Sequence, residues 1–195
     1  VQGCNFPDSL DKYDPANYEK YGGKHYSCDL MYDKMEKFVE DNASSPFFLM
    51  WTTTVPHSAV QAPMDEVMHY VEKLGDEEPC TDPGMYLPNR YPLATYAAMV
   101  THIDTQVGKL ISKLKELGVW DNTIFIVTSD NGPASNGNSP MEYFRSGGPF
   151  KCAKGWGKSS LHEGGIRMPF ILRWGDSKKC EKITQFGEQC SAHRV

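Results

Sequence analysis

The sequence lacks several features that would place a protein in a class at once. No run approaches the roughly 20 consecutive apolar residues that a membrane-spanning helix needs, so we expect no membrane span. Acidic residues outnumber basic ones, 25 to 20, and the formal net charge is -5. Binding to nucleic acid relies on lysine and arginine against phosphate, so we expect no nucleic-acid partner. The opening residues carry neither the charged nor the apolar region of a signal peptide.

Cysteines are few, and no two of them stand in the C-x-x-C spacing of a structural zinc site. The six are Cys4, Cys28, Cys80, Cys152, Cys180 and Cys190. An even number leaves disulfides and free thiols equally open. The tripeptide Asn42-Ala43-Ser44 is a glycosylation sequon, which matters only in the secretory pathway. Together these features favour a secreted, periplasmic or lysosomal protein over a cytoplasmic one.

The sequence has the composition and the periodicity of a folded α/β domain. Hydrophobic residues make up 39% and aromatic residues 12% of the chain, enough for a core. Helical apolar spacing covers Ser27 to Asn42, Met64 to Leu74 and Tyr96 to Leu117. Short apolar runs typical of buried strands cover Phe47 to Thr53 and Thr123 to Thr128, and a third strand is predicted from Met168 to Trp174. This alternation predicts an α/β fold with a mostly parallel mixed sheet flanked by helices.

Polar residues follow the clearest of these strands directly. Asp130 and Asn131 offer a carboxylate and an amide oxygen, the ligand types that calcium and magnesium prefer. In an α/β fold, ligands bind beyond the carboxyl ends of the strands, where this pair lies. Asp130-Asn131-Gly132 is also an ordinary turn sequence, so a purely structural turn stays open.

Two cationic side chains are further candidates. His57 follows the first apolar run, where an imidazole could donate to an anionic oxygen or protonate a leaving group. Lys158 lies in a glycine-containing loop before Glu163-Gly164-Gly165, and its ammonium could contact an oxyanion. For both residues a solvated loop side chain is the alternative, and for the segment from Glu163 to Arg167 the sequence favours a structural role.

Taken in order, four segments resemble the sulfatase family of the alkaline phosphatase superfamily, with an arylsulfatase-like pattern. The segment from Pro46 through His57 to Pro63 resembles the family's strand and histidine loop, with Ala59 in place of the first proline. The segments Tyr96 to Gly108 and Asp121 to Gly132 resemble its long helix and its metal-binding strand end. The segment from Lys158 through Glu163-Gly164-Gly165 to Pro169 resembles K-x-x-x-x-E-G-G-x-R-x-P, with His162 where tyrosine is frequent.

The resemblance implies a fold, a site and a cofactor. Residues 1–175 would form part of a sulfatase catalytic domain, and 176–195 a polar tail of undefined structure. Asp130 and Asn131 would bind a divalent cation, usually Ca²⁺ with Mg²⁺ as the alternative. His57 and Lys158 would contact the sulfate group of a sulfate-ester substrate and take part in its hydrolysis.

One element of the family pattern has no counterpart in this sequence. The family's nucleophile is a formylglycine hydrate made from a cysteine or serine in C-x-P-x-R, and no cysteine or serine here begins that motif. Near Cys80 the proline comes one position late, and Cys4 fails similarly. In the family, this motif and a first pair of metal-binding aspartates lie upstream of the matched segments. We therefore expect a later part of the catalytic domain, incomplete at its N-terminal side, inactive alone and completed by an upstream part.

Two other functions remain compatible with the sequence. A phosphatase or phosphonate hydrolase of the same superfamily would use similar architecture, although Lys158 before Glu163-Gly164-Gly165 favours sulfate. A non-catalytic binding protein on a truncated sulfatase scaffold would explain the missing nucleophile motif. A sulfatase that hydrolyses sulfate esters is the leading hypothesis.

Overall fold

The computed structural model describes residues 4–84, 86–135, 137–153, 155–176 and 178. The helices are α1 (Ser27–Asn42), α2 (Met64–Leu74), α3 (Pro92–Glu116) and the single turn α4 (Glu163–Ile166), and the strands are β1 (Ile124–Thr128) and β2 (Phe170–Trp174). Short 3-10 helices cover Pro15–Tyr21 and Trp120–Asn122. The three main helices therefore lie where the apolar periodicity predicts them, with α3 beginning four residues earlier than Tyr96.

Helix α3 connects the parts of the hydrophobic core. Its C-terminal half packs through Leu110 and Leu114 against a buried stripe of α1. Met99 packs against Cys28, Val55 and Val60, and the buried Ala94 and Ala98 contact the residues around Val67 of α2. Because these clusters follow one another along α3, a single long helix holds α1, α2 and the loop after α1 together.

The N-terminus of α3 receives its cap from a residue far back in the loop after α2. Pro92 occupies the first turn, where its missing N–H costs nothing. The Glu77 carboxylate accepts hydrogen bonds from the backbone N–H groups of Leu93 at 2.6 Å and Ala94 at 2.9 Å. A negative charge here also complements the helix dipole. The loop and the helix start are thereby fixed to each other.

The three helices are also joined by one polar network around His102 of α3. Its side chain is only 8% exposed. Its Nδ1 lies 2.8 Å from Oε1 of Glu66 on α2, and its Nε2 lies 2.9 Å from Oδ1 of Asp29 on α1. Gln106, one turn further along α3, donates to the same Asp29 oxygen at 3.1 Å. A buried imidazole thus bridges carboxylates from two different helices.

Strands β1 and β2 pair antiparallel, with Ile124 opposite Trp174 and Thr128 opposite Phe170. The predicted mixed sheet would contain parallel and antiparallel pairs of strands, and the β1–β2 pair is antiparallel. The prediction that β1 is buried is wrong for the described chain, because Ile124 is 52% and Ile126 51% exposed, and Phe170 of β2 is 64% exposed. Each strand has one sheet neighbour among the described residues, so side chains that further strands would cover remain in solvent.

The apolar run from Phe47 to Thr53 forms no strand in the described structure, contrary to the prediction. Its residues nevertheless alternate. Phe47, Leu49 and Trp51 pack against the cluster between α1 and α3, whereas Phe48 and Met50 are 85% and 73% exposed. This alternation is that of an extended segment with one buried face. The segment lacks strand character because no described strand supplies the ladder of backbone hydrogen bonds.

Three other expectations concern membrane spans, disulfides and the C-terminal tail. Among the described residues, no helix combines the length and the apolar character that a membrane crossing requires. Cys4, Cys28, Cys80 and Cys152 are free thiols, and the remaining two cysteines lie outside the described residues. The expected polar tail, 176–195, also lies outside them except for 176 and 178.

Candidate active site

The candidate metal ligands lie directly beyond the end of β1. The strand ends at Thr128, whose hydroxyl donates to the carbonyl of Pro169 at 3.0 Å. Asp130 is exposed, and its carboxylate has no hydrogen-bond or ion-pair partner among the described residues. The Asn131 side-chain amide donates to the carbonyl of Gly132 at 2.9 Å. This bond fixes the orientation of the amide and leaves its oxygen available to a ligand.

Lys158 is held beside this strand end by its backbone. Its N–H donates to the carbonyl of Pro133 at 2.9 Å, and the N–H of Gly132 donates to the carbonyl of Gly165 at 3.0 Å. The segment that follows β1 is therefore bonded to the loop that carries Lys158 and to the short helix α4. The Lys158 side chain is exposed, and its ammonium has no ion-pair partner in the part of the chain that the structure describes.

His57 occupies a separate loop whose contacts define its ring. Its backbone N–H donates to the carbonyl of Thr54 at 2.9 Å, and its Nδ1 lies 2.8 Å from the carbonyl oxygen of Ser58. A carbonyl oxygen can only accept, so this contact requires a hydrogen on Nδ1. Nε2 is then the nitrogen that can exchange a proton with a ligand. The ring is exposed and lies edge-on to Tyr86, with the ring centroids 6.1 Å apart.

The structure brings three of the four predicted residues into one backbone-bonded unit. Asp130 and Asn131 share the segment that bonds to the Lys158 loop. Across the described ranges, no hydrogen bond joins His57 to any of them. An indirect connection runs through residues 79–89. Asn89 donates to the carbonyl of Val60 in the His57 loop at 2.7 Å and is joined to Cys80 by two backbone hydrogen bonds. Asn138, after the β1 end, donates to the carbonyl of Pro79, the residue before Cys80, at 3.3 Å.

The donor set of this unit fits a hard divalent cation in kind but not in number. Asp130 supplies a carboxylate and Asn131 an amide oxygen, whereas calcium takes six to eight oxygens. Within the described residues, no group of three or more His, Cys, Asp or Glu side chains could hold a metal ion. A calcium ion at this position would need waters or further residues to complete its coordination.

Sequence reasoning missed the neighbours of these residues. Tyr86 was not distinguished from other loop aromatics, although it contacts the His57 ring. The stacking of His162 on Trp156, with ring centroids 3.8 Å apart, was also missed. Lys151 lies over the same indole, 4.2 Å from the centroid. The glycines near position 133 and the aromatic residues near 156 were visible as composition, but no sequence pattern specified which of them touch.

The chain matches known proteins over most of its length. The family model described as Sulfatase matches residues 3–191. An N-acetylgalactosamine-6-sulfatase of Rattus norvegicus is 37% identical over 130 residues, which is 67% of this chain and 20% of that protein. An arylsulfatase of Hemicentrotus pulcherrimus is 30% identical over 174 residues, 87% of this chain and 26% of that protein. The chain thus spans about a quarter or less of these two relatives.

Solved structures agree with the sequence matches. The crystal structure of Ps i-CgsB in complex with k-i-k-neocarrahexaose has a TM-score of 0.58 to this chain at 28% identity, covering 78% of this chain and 29% of that one. A similarity of this size supports the α/β, sulfatase-like fold class expected from the sequence. Together with the family match over nearly the whole chain, it leads to one conclusion: the chain belongs to the sulfatase family.

Proposed function

We propose that this chain is the part of a sulfate-ester hydrolase that binds the sulfate group and contributes two ligands to a divalent cation. The observation that carries the proposal is the backbone bonding of the Asp130-Asn131 segment to the Lys158 loop. This bonding keeps the side chains of Asp130 and Asn131 on a piece of chain next to that of Lys158, whose ammonium has no ion-pair partner among the described residues. A sulfate group, whose oxygens carry negative charge, is suited to binding between a cation and an ammonium.

Each residue has a role that its contacts support. The exposed Lys158 ammonium donates hydrogen bonds to sulfate oxygens and offsets their charge. His57, with its Nδ1 hydrogen engaged by Ser58, presents Nε2 to the substrate. In the protonated ring, Nε2 donates to a sulfate oxygen or to the oxygen that leaves when the S–O bond breaks.

Asp130 and Asn131 would hold the divalent cation, Ca²⁺ before Mg²⁺ because carboxylate and amide oxygens suit both but the open, irregular segment does not impose a rigid octahedron. When bound, such a cation supplies Lewis-acid stabilisation of negative charge on oxygen. We further propose that the formylglycine nucleophile and the remaining ligands come from an upstream part of the domain, which would act together with this chain.

A sulfated carbohydrate is the proposed substrate class. Support comes from the names of the relatives, which include N-acetylgalactosamine-6-sulfatases, and from the neocarrahexaose complex of a similar structure. A secreted, periplasmic or lysosomal location stays a prediction, supported by the sequon at Asn42 and by the substrate class.

Hydrolysis of 4-nitrophenyl sulfate and 4-nitrophenyl phosphate by the full-length protein tests the reaction, with sulfated N-acetylgalactosamine as the carbohydrate substrate. We expect turnover of sulfate esters and little turnover of phosphate. A clear preference for phosphate would establish the phosphatase alternative, and binding of sulfated sugar without turnover would establish a non-catalytic protein.

The metal assignment has a separate test. Asp130→Ala in the full-length protein is expected to lower calcium affinity by at least tenfold in titration calorimetry, because it removes a charged ligand. Asp8→Ala, which removes an exposed carboxylate from the opening loop, is the matched control and should leave the affinity unchanged. Equal affinities in both variants would remove Asp130 from the site.

A further inference from the structure

Four glycines lie where the segment after β1 meets the Lys158 loop. The lack of room for a side chain, and not the backbone conformation, explains why these positions are glycine. They are Gly132, Gly157, Gly164 and Gly165, and all four are buried. None of them has a φ in the left-handed region, in contrast to Gly155 at 84°. Any residue could therefore adopt their backbone conformation, and the usual reason for glycine in a loop does not apply.

The room for a side chain at these positions is already filled by backbone atoms. A Cβ on Gly132 would overlap the carbonyl of Gly164. A Cβ on Gly157 would lie 2.5 Å from the carbonyl oxygen of Pro133, and one on Gly164 would lie 2.6 Å from that of Trp156. Real Cβ atoms do not approach backbone oxygens so closely. The obstacle is main chain, so a rotamer change cannot relieve it.

We infer that Gly132, Gly157 and Gly164 are positioning residues for the proposed site: by lacking side chains they let two loops meet backbone to backbone, which sets the separation between the metal ligands and Lys158. The inference rests on the proposed function. The bond from Lys158 N–H to Pro133 and the bond from Gly132 N–H to Gly165 form only at this close approach. A methyl group at Gly132 would push the Gly164 segment away and carry the lysine with it.

The stacked segment gives the lysine loop a second support. His162, at the start of α4, stacks on Trp156, two residues before Lys158. The contact between Gly132 and Gly164 thus joins the segment that carries Asp130 and Asn131 to the Lys158 loop, whose two ends are held together by the Trp156–His162 pair. Displacement at Gly132 is therefore expected to move Lys158 as part of a unit, not to be absorbed by the loop.

The first test compares Gly132→Ala with Gly108→Ala in the full-length protein. Gly108 lies in α3, where an added Cβ meets nothing within 4 Å. We expect Gly132→Ala to lower kcat for 4-nitrophenyl sulfate by about tenfold to a hundredfold, as a displacement on the order of 1 Å does in other sites. Gly108→Ala should retain wild-type kcat. Circular dichroism checks that both variants are folded.

The second test separates positioning from a merely structural role. The dissociation constant of inorganic sulfate is measured for wild type, Gly132→Ala, Lys158→Ala and the double variant. If Gly132 acts through Lys158, Gly132→Ala weakens sulfate binding in the wild-type background and has no further effect when the lysine is absent. Additive losses, or unchanged sulfate affinity in folded Gly132→Ala, would overturn the inference.

The outcomes also distinguish this inference from the proposed function. Unchanged sulfate affinity in Lys158→Ala would contradict the function itself, whatever the glycine variants do. If Gly132→Ala does not fold, Gly157→Ala replaces it, because its nearest backbone contacts, at 2.5 Å and 2.8 Å, require a smaller shift. The same non-additivity with Lys158→Ala is expected there, and its absence refutes the positioning role.

Discussion

Removal of the His102 side chain should destabilise the fold more than its size suggests. The ring contacts Glu66 at 2.8 Å and Asp29 at 2.9 Å while its own side chain is 8% exposed. His102→Ala leaves two carboxylates of neighbouring helices without their shared partner. Glu66 is already the less satisfied of the two, because its Oε2 is buried without a hydrogen bond in the described structure. The loss therefore falls on the contacts between α1, α2 and α3.

The magnitude follows from the exposure of the partners. Leaving a buried hydrogen-bonding group without its partner costs about 1–3 kcal/mol, and His102→Ala does this to two carboxylates. Here the Asp29 side chain is 52% exposed and that of Glu66 31%, so water recovers part of their solvation. We expect His102→Ala to lower the free energy of unfolding by about 2–3 kcal/mol, with a smaller loss for His102→Gln, whose amide can retain one of the two contacts.

Urea unfolding of the full-length protein, followed by circular dichroism, measures this difference. His69→Ala is the matched control, since His69 is an exposed residue of α2 and the substitution has the same effect on intrinsic helix propensity. The control should stay within about 0.5 kcal/mol of wild type. A loss in His102→Ala no larger than that of His69→Ala would refute the view that this network joins the helices.

Two further predictions concern titration. Burial raises the pKa of the Glu77 carboxyl above its ordinary value of 4.5. The folded protein therefore holds this proton more tightly than the unfolded chain does. The resulting stabilisation is complete below pH 4.5 and is lost as the pH rises through the folded-state pKa. Glu77→Gln should remove this decline from urea midpoints measured between about pH 4 and 7, and an unchanged profile would contradict it. Burial raises the pKa of Tyr18 to about 12, so its stabilising effect is present below pH 10 and is lost towards 12. Because burial also raises the pKa of Tyr26 and Tyr32, ultraviolet difference titration should show several late phenolates, and Tyr18→Phe should remove one of them. An unchanged late phase in Tyr18→Phe would contradict the assignment.

The helices could be predicted from sequence because their signal is local. In α1 and α3 the apolar residues that form the core, such as Val39 and Leu114, recur at the helical period. The start of α3 was missed because Pro92 and the Glu77 cap lie outside that periodicity. A cap supplied from a distant loop leaves no spacing signature in the chain.

The strands illustrate the limit of local reasoning. The residues Ile124 to Thr128 were correctly expected to be extended, but burial depends on neighbours that a single segment does not encode. The prediction for Phe47 to Thr53 rested on the apolar content of the segment. In the structure, the alternation of its side chains decides which of them are covered.

The candidate site was predictable as residues but not as an arrangement. Asp130, Asn131, Lys158 and His57 follow from strand ends and from motif resemblance. Their roles remain predictions. That the first three share a backbone-bonded unit depends on contacts between residues far apart in sequence, such as Lys158 with Pro133 at 2.9 Å. The many glycines indicated that the backbone could follow a tight path there, but they could not specify which segment it would contact.

The contact between Gly132 and Gly164 also limits how this protein can evolve. Every other amino acid carries a Cβ, so any missense change in the Gly132 codon introduces the overlap with the neighbouring carbonyl. Compensation would require a shift of main chain in the opposite loop, which no single second substitution readily provides. We therefore expect natural variants to accumulate elsewhere, for instance on the exposed faces of α1 and α2, while these two codons stay invariant among functional descendants.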